Sequence, residues 1–256
     1  MVAFSISSEW LKQRRSLALQ VVVGSAAFIP AIIFLSRFRR LDALPAIYRA
    51  PRFWEGLWRQ SWEAMALMIL PMAIMLLASL QAQVEYRNNA WKQVHAAPQA
   101  PAAIFVAKLV VLLAQVAALI ALFNAAIFAA GALPALLFKN VPWPGAIDAA
   151  RFLRRDLSLF ADALPVVALQ FVLAILFRSF LTPLGIGMGL WIFSVGTLSW
   201  RYSWIVPYSA TTLDYLAVEY QRTLPLPASP PVIAGAWFSV FILVGYVLYM
   251  RKPDRG

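Results

Sequence analysis

Cysteine is absent from this chain, which excludes disulfides, thiolate metal sites and cysteine nucleophiles. Histidine is nearly absent. His95 stands alone in a polar stretch, so no histidine metal cluster forms, and it reads as a solvated side chain. Acids are few, 11 against 22 basic residues, for a net charge of +11. The basic residues are scattered through loops and ends, which argues against a nucleic-acid face and for anionic lipid headgroups beside membrane spans. Charge of either sign is missing over long stretches. Leu109 to Phe138 holds no Asp, Glu, Lys or Arg, and neither do Leu17–Leu35, Ala64–Val84, Ala163–Phe177, Ser179–Trp200 and Val232–Met250.

What is there instead is apolar, at 62% of 256 residues with mean hydropathy +0.73. A bilayer core about 30 Å thick is crossed by roughly 20 apolar helical residues. The runs are continuous rather than alternating, which selects helices over a barrel. The expected fold is therefore an all-α integral membrane protein with six spans, near 17–35, 63–84, 103–130, 158–177, 183–200 and 232–250. Little chain remains for anything else, so 1–256 reads as one membrane domain. Ser25-Ala26-Ala27 resembles a cleavage site, but the apolar run continues to Leu35, past a signal h-region, so no cleavage is expected.

Residues 4–15 read as an amphipathic interfacial helix, with Ile6, Trp10 and Leu17 near one face and Lys12, Arg14 and Arg15 elsewhere. Trp54, Trp58 and Trp62 recur every four residues in a polar connection, the spacing of an aromatic anchor at the headgroups. Lys108, early in the third span, is placed to snorkel to the interface. Residues 201–231 are aromatic and broken at Pro207, which predicts short interfacial or re-entrant helices before the last span.

Polar groups inside the spans are few. Asp162 and Arg178 are the ionisable ones, each near an expected span end where the interface relieves the cost of charge. Gln115, Asn124 and Gln170 are expected to hydrogen-bond between helices. Gly185 and Gly189, four apart, are expected to let two helices approach. Gly185-x-Gly187-x-Gly189 lacks the strand–helix context of a dinucleotide site. No G-x-x-x-x-G-K-[ST] occurs, so no ATP site is encoded. Six spans put both termini on one side. Ten basic residues then fall on that side and twelve on the other, so charge bias does not set the orientation.

The most distinctive polar segment is Glu85-Tyr86-Arg87-Asn88-Asn89-Ala90-Trp91-Lys92, followed by Pro98, Pro101 and Lys108. Read alone, it is either a solvated connector or a short helix offering Arg87, Trp91 and Lys92 to a partner. With Pro71 before it, it resembles the first cytoplasmic loop of ABC-2 type transporter permeases, most closely the branch for lantibiotic, bacteriocin and bacitracin export or immunity. The motif covers about 81–108, and the architecture the whole chain. The resemblance implies a bacterial inner-membrane permease with both termini cytoplasmic, a second permease chain, and a separate ATP-binding subunit that carries the ATP and magnesium. It implies that Glu85, Arg87, Asn88, Asn89, Trp91 and Lys92 form a coupling helix on that subunit, with Trp10 and Lys12 as a second contact. This chain would then be no enzyme and hold no cofactor. Two other functions stay open: a membrane scaffold or sensor, which a neighbouring frame with a Walker A motif argues against, and an integral membrane enzyme, which activity from the isolated chain would reveal.

Overall fold

The computed structural model describes residues 2–14, 16–87, 100–177, 179–219 and 226–251. These residues form helices and no strand. Helix α1 is Val2–Arg14, α2 Ala18–Phe38, α3 Leu44–Tyr48, α4 Phe53–Ala64, α5 Leu70–Arg87, α6 Pro101–Leu137, α7 Ala149–Leu176, α8 Leu181–Gly196, α9 Ala210–Glu219 and α10 Pro230–Arg251. Among the described residues, five stretches are long and apolar enough to cross a membrane: α2, the stack from Phe53 to Val84, α6, α7 and α10. The expected fifth span is the shorter α8, whose 16 residues reach about 24 Å.

Inside lipid, apolar side chains gain little by leaving the solvent, so the bundle rests on close packing and on hydrogen bonds that lipid cannot replace. Helix α7 is its centre, with α5, α6, α9 and α10 packed on it. Helix α2 touches α6 through one stripe, Ala18, Val22, Ala26, Pro30, Ile33 and Arg37. Val21 and Ile29 flank this stripe, and most of the rest of α2 faces outward.

The stretch 36–62, expected as a polar connection, is largely helical, and α4 runs directly into the second span. A single π-helical turn, Met65–Ile69, joins α4 to α5. Pro71 accounts for it. Proline has no N–H and its ring crowds the carbonyl four residues back, here that of Leu67. That carbonyl accepts instead from Trp191 Nε1 of α8 at 2.8 Å. The Ala66 carbonyl accepts from Thr211 Oγ1 of α9 at 3.2 Å.

The tryptophan stripe is real but faces the other way from the expected anchor. Trp54, Trp58 and Trp62 are all buried, against Phe128, Phe152 and Phe123 respectively. Helix α4 continues a span and has α6 and α7 beside it, so its apolar face has protein to meet instead of headgroups.

After α8 the chain re-enters the bundle through two 3-10 turns, Ser203–Ile205 and Pro207–Ser209, and α9 leads back out. Ser209 Oγ donates to the carbonyls of Ser203 and Val206, at 2.6 and 2.7 Å, and closes the bend. Tyr208 is buried there and its hydroxyl accepts from Gln170 Nε2 of α7.

Phe105 at the start of α6 meets Tyr246 and Tyr249 near the end of α10, with ring centroids 5.4 and 5.6 Å apart. Lys108 of α6 meets α1. The beginning and end of the described chain thus share one end of the bundle, the near end. The far end is clasped by Arg37, whose Nη1 donates to Tyr48 Oη at 2.9 Å and to the Ala130 carbonyl at 2.8 Å. Tyr48 Oη donates onward to the Gly131 carbonyl at 2.8 Å.

Candidate functional site

At the near end, α1 lies on α6 by an unusual face. Ser5, Glu9 and Gln13, four residues apart, are its buried side chains, while Phe4, Trp10 and Leu11 point outward. A helix at a membrane surface that rests on protein turns its polar stripe inward and leaves its apolar residues to lipid. Glu9 Oε2 accepts from Lys108 Nζ at 2.9 Å, and Glu9 Oε1 from Lys12 Nζ at 2.6 Å. Burial pushes the Glu9 carboxyl up, but Lys108 and then Lys12 outweigh it and hold the group below its ordinary range. Lys108 therefore does not snorkel. It stays in the bundle because α1 brings a carboxylate to it.

The same end carries the close of α5. Gln81 Nε2 donates to the Lys108 carbonyl at 2.8 Å, tying α5 to α6. Glu85 and Arg87 belong to the last turns of α5. Asn88, Asn89, Trp91, Lys92 and His95 lie outside the described residues, as does Arg178. Of the two expected α1 contacts, Trp10 is outward, whereas Lys12 is engaged by Glu9.

Within the bundle, Asp162 is fully buried and lies against Asp214 of α9. The expected interfacial relief is absent because α7 begins at Ala149, which sets Asp162 in mid-helix. Arg155 Nη1 stands 3.8 Å from Asp214 Oδ2. This cluster links the re-entrant α9 to α7. Asp214 was visible as one acid in an aromatic segment, but nothing in the sequence pairs it with a residue 52 positions earlier.

The uncharged polar residues divide. Gln170 bonds between elements, as expected. Asn124 Nδ2 donates to the Ile120 carbonyl of its own helix at 2.9 Å, and its side chain also meets the Asp156 carboxyl of α7, whereas Gln115 Oε1 has no partner among the described residues. Gly185 and Gly189 approach nothing, and Gly187 between them is the tight position, where a Cβ would overlap the Gln170 amide. No cluster of His, Cys, Asp or Glu able to hold a metal occurs among the described residues.

From α1 through most of α8, residues 5–194 match the family model for ABC-2 family transporter proteins. The chain belongs to the ABC-2 family. No curated protein matches it, and no solved structure does. As an ABC-2 protein it is a component of a membrane transporter, and its long apolar helices cross the bilayer several times. The matched stretch includes the near-end assembly of α1, α5 and α6, and the α7 side of the buried acid cluster.

Proposed function

We propose that this chain is the permease subunit of an ATP-driven ABC exporter that moves a peptide or hydrophobic drug-like substrate out of the cytoplasm or the membrane. Membership in the ABC-2 family carries the proposal. Because the sequence has no Walker A motif, the ATP and its magnesium belong to a separate ATP-binding subunit. The near end is its docking face, with the segment from Glu85 to Lys92 as the coupling contact and Trp10 and Lys12 of α1 as a second contact. Two permease chains, alike or paired with a sister, enclose the path. Both termini are then cytoplasmic, in the inner membrane of a bacterium.

The near end suits this role mechanically. An ATPase dimer that closes on ATP displaces whatever is docked on it. Here α1 is tied to α6, because Glu9 and Lys108 are paired out of water. The test is substitution in a reconstituted permease–ATPase complex. Glu85→Ala and Trp91→Ala are expected to keep insertion and assembly yet lower substrate-stimulated ATP hydrolysis about tenfold, the effect of losing about 1.4 kcal/mol of coupling. Unchanged hydrolysis and transport in both variants would refute the coupling assignment.

A further inference from the structure

The far end holds a cavity of about 380 Å³ between the first turns of α4 and α7. That is within the range of pockets that hold small ligands, about 300–1,000 Å³. Its lining includes Arg52, Arg59, Arg151 and Arg155, with Glu55 the only acid and Trp58 part of the wall. Glu55 is already engaged, its Oε1 lying 2.6 Å from Arg151 Nη1. Arg155 reaches toward Asp214 and lies over the Trp58 ring, 5.7 Å from its centroid. Arg52 and Arg59 have no ion-pair partner among the described residues.

Three further observations bear on this cavity. The far end carries more basic residues than the near end, opposite to what charge bias asks of a chain with cytoplasmic termini. Charges that do not serve orientation need a local task, and four of them surround this space. Arg52 also adopts φ 61°, the one non-glycine residue with positive φ among the described residues. It stands at the start of α4 without a side-chain cap, so the first amides of α4 have no side-chain acceptor at the cavity rim. Finally, a second cavity of about 200 Å³ adjoins the first and shares Trp58 and Phe152 with it. Those two rings are stacked, 5.9 Å between centroids and 18° between planes. The second cavity is largely apolar, lined by Ile127, Phe128 and Leu153 among others, with Asn124 and Asp156 as its polar members.

We propose that the arginine-lined cavity between α4 and α7 binds a phosphate-bearing anion, with an anionic lipid as its natural source. Guanidinium groups match phosphate oxygens in pairs, and several of them balance more than one negative charge. The adjoining apolar cavity gives the acyl chain of such a lipid a place beside its headgroup, with the Trp58–Phe152 stack between the two. A free phosphate or pyrophosphate offers the same oxygens but nothing for the second cavity. The charge-bias observation rests on the cytoplasmic termini of the proposed transporter, but the cavity and its arginines do not.

The test uses the full chain in maltoside micelles, which contribute no phosphate. Short-chain phosphatidic acid and inorganic pyrophosphate are titrated separately, and binding is read by native mass spectrometry and by the shift in melting temperature. Phosphatidic acid is expected to bind and to stabilise, in a salt-dependent way. The double variant Arg52→Gln/Arg59→Gln is expected to bind at least tenfold more weakly, and Glu55→Gln, which frees Arg151, more tightly. The exposed far-end pair Arg39→Gln/Arg40→Gln serves as control and is expected to match wild type. Binding of phosphatidic acid alone supports a lipid ligand, and equal binding of pyrophosphate shifts the source to a free anion at the same site. No binding of either probe overturns the proposal. So does equal binding by wild type and the Arg52/Arg59 variant, or an equal loss in the control, which would mean diffuse surface attraction.

Discussion

A carboxylate held between two ammonium groups away from water is stable only while its partners remain. Glu9 is that carboxylate, with Lys12 and Lys108 on its two oxygens. Replacing it by Gln takes the Glu9 charge away from the buried Lys108 ammonium, and removing one member of a buried pair costs about 3 kcal/mol or more. Glu9→Gln should therefore lower the melting temperature and free α1 to proteolysis at neutral pH. The acid dependence follows in sign. The folded carboxyl titrates below its ordinary value of 4.5, so its contribution is present above that pH and fades as pH falls through the depressed value. Wild type should lose stability in that acid window in a step that Glu9→Gln lacks, which calorimetry from pH 3 to 6 would measure. At Gly187 the argument is steric. A methyl group there would meet Gln170, Met75 and Tyr208, and overpacking of this kind costs about 1–3 kcal/mol. Gly187→Ala should be clearly less stable in a thermal unfolding series than Gly185→Ala or Gly189→Ala, whose sites are open.

Single helices show what the sequence carried and what it withheld. Helix existence was legible from apolar length, and α2, α6, α7 and α10 appear close to the expected spans. Boundaries were less so, because charge and tryptophan near a span suggest an interface even when the helix continues. That is why α4 was hidden in a polar connection and why Asp162 was read as near an end. Pro71 was visible, but its consequence required the partners that the π-turn recruits. Trp191→Phe removes the side-chain donor to the half-buried Leu67 carbonyl, at a cost of about 1 kcal/mol. In Pro71→Ala the helix can supply an N–H to that carbonyl, so the loss from Trp191→Phe should shrink in the Pro71→Ala background. A double-mutant cycle on unfolding free energy measures this, and additive effects would count against the link.

For the molecule as a whole, the family and the helical membrane fold could be expected from the loop after the second span and from the apolar runs, whereas pairings across the bundle could not. Glu9 with Lys108 and Asp162 with Asp214 join residues far apart in sequence, and periodicity speaks only of near neighbours. The absence of cysteine makes the topology directly measurable. In right-side-out vesicles, Ser7→Cys and Arg251→Cys should react with a membrane-impermeant thiol reagent from one side, and Lys139→Cys from the other. Labelling of Ser7→Cys and Lys139→Cys from the same side would contradict the arrangement of near and far ends.

The separation of Glu9 from Lys108 also has a consequence in time. The two residues are 99 positions apart, so a ribosome adding about 5–20 residues per second needs roughly 5–20 s to supply the second after the first. Throughout that interval the N-terminal helix has made its acid but not met its base, and two spans must enter the bilayer first. Docking of α1 is thus a late event of biogenesis, and nascent chains stalled before Lys108 should keep it open to protease when chains stalled well beyond it do not.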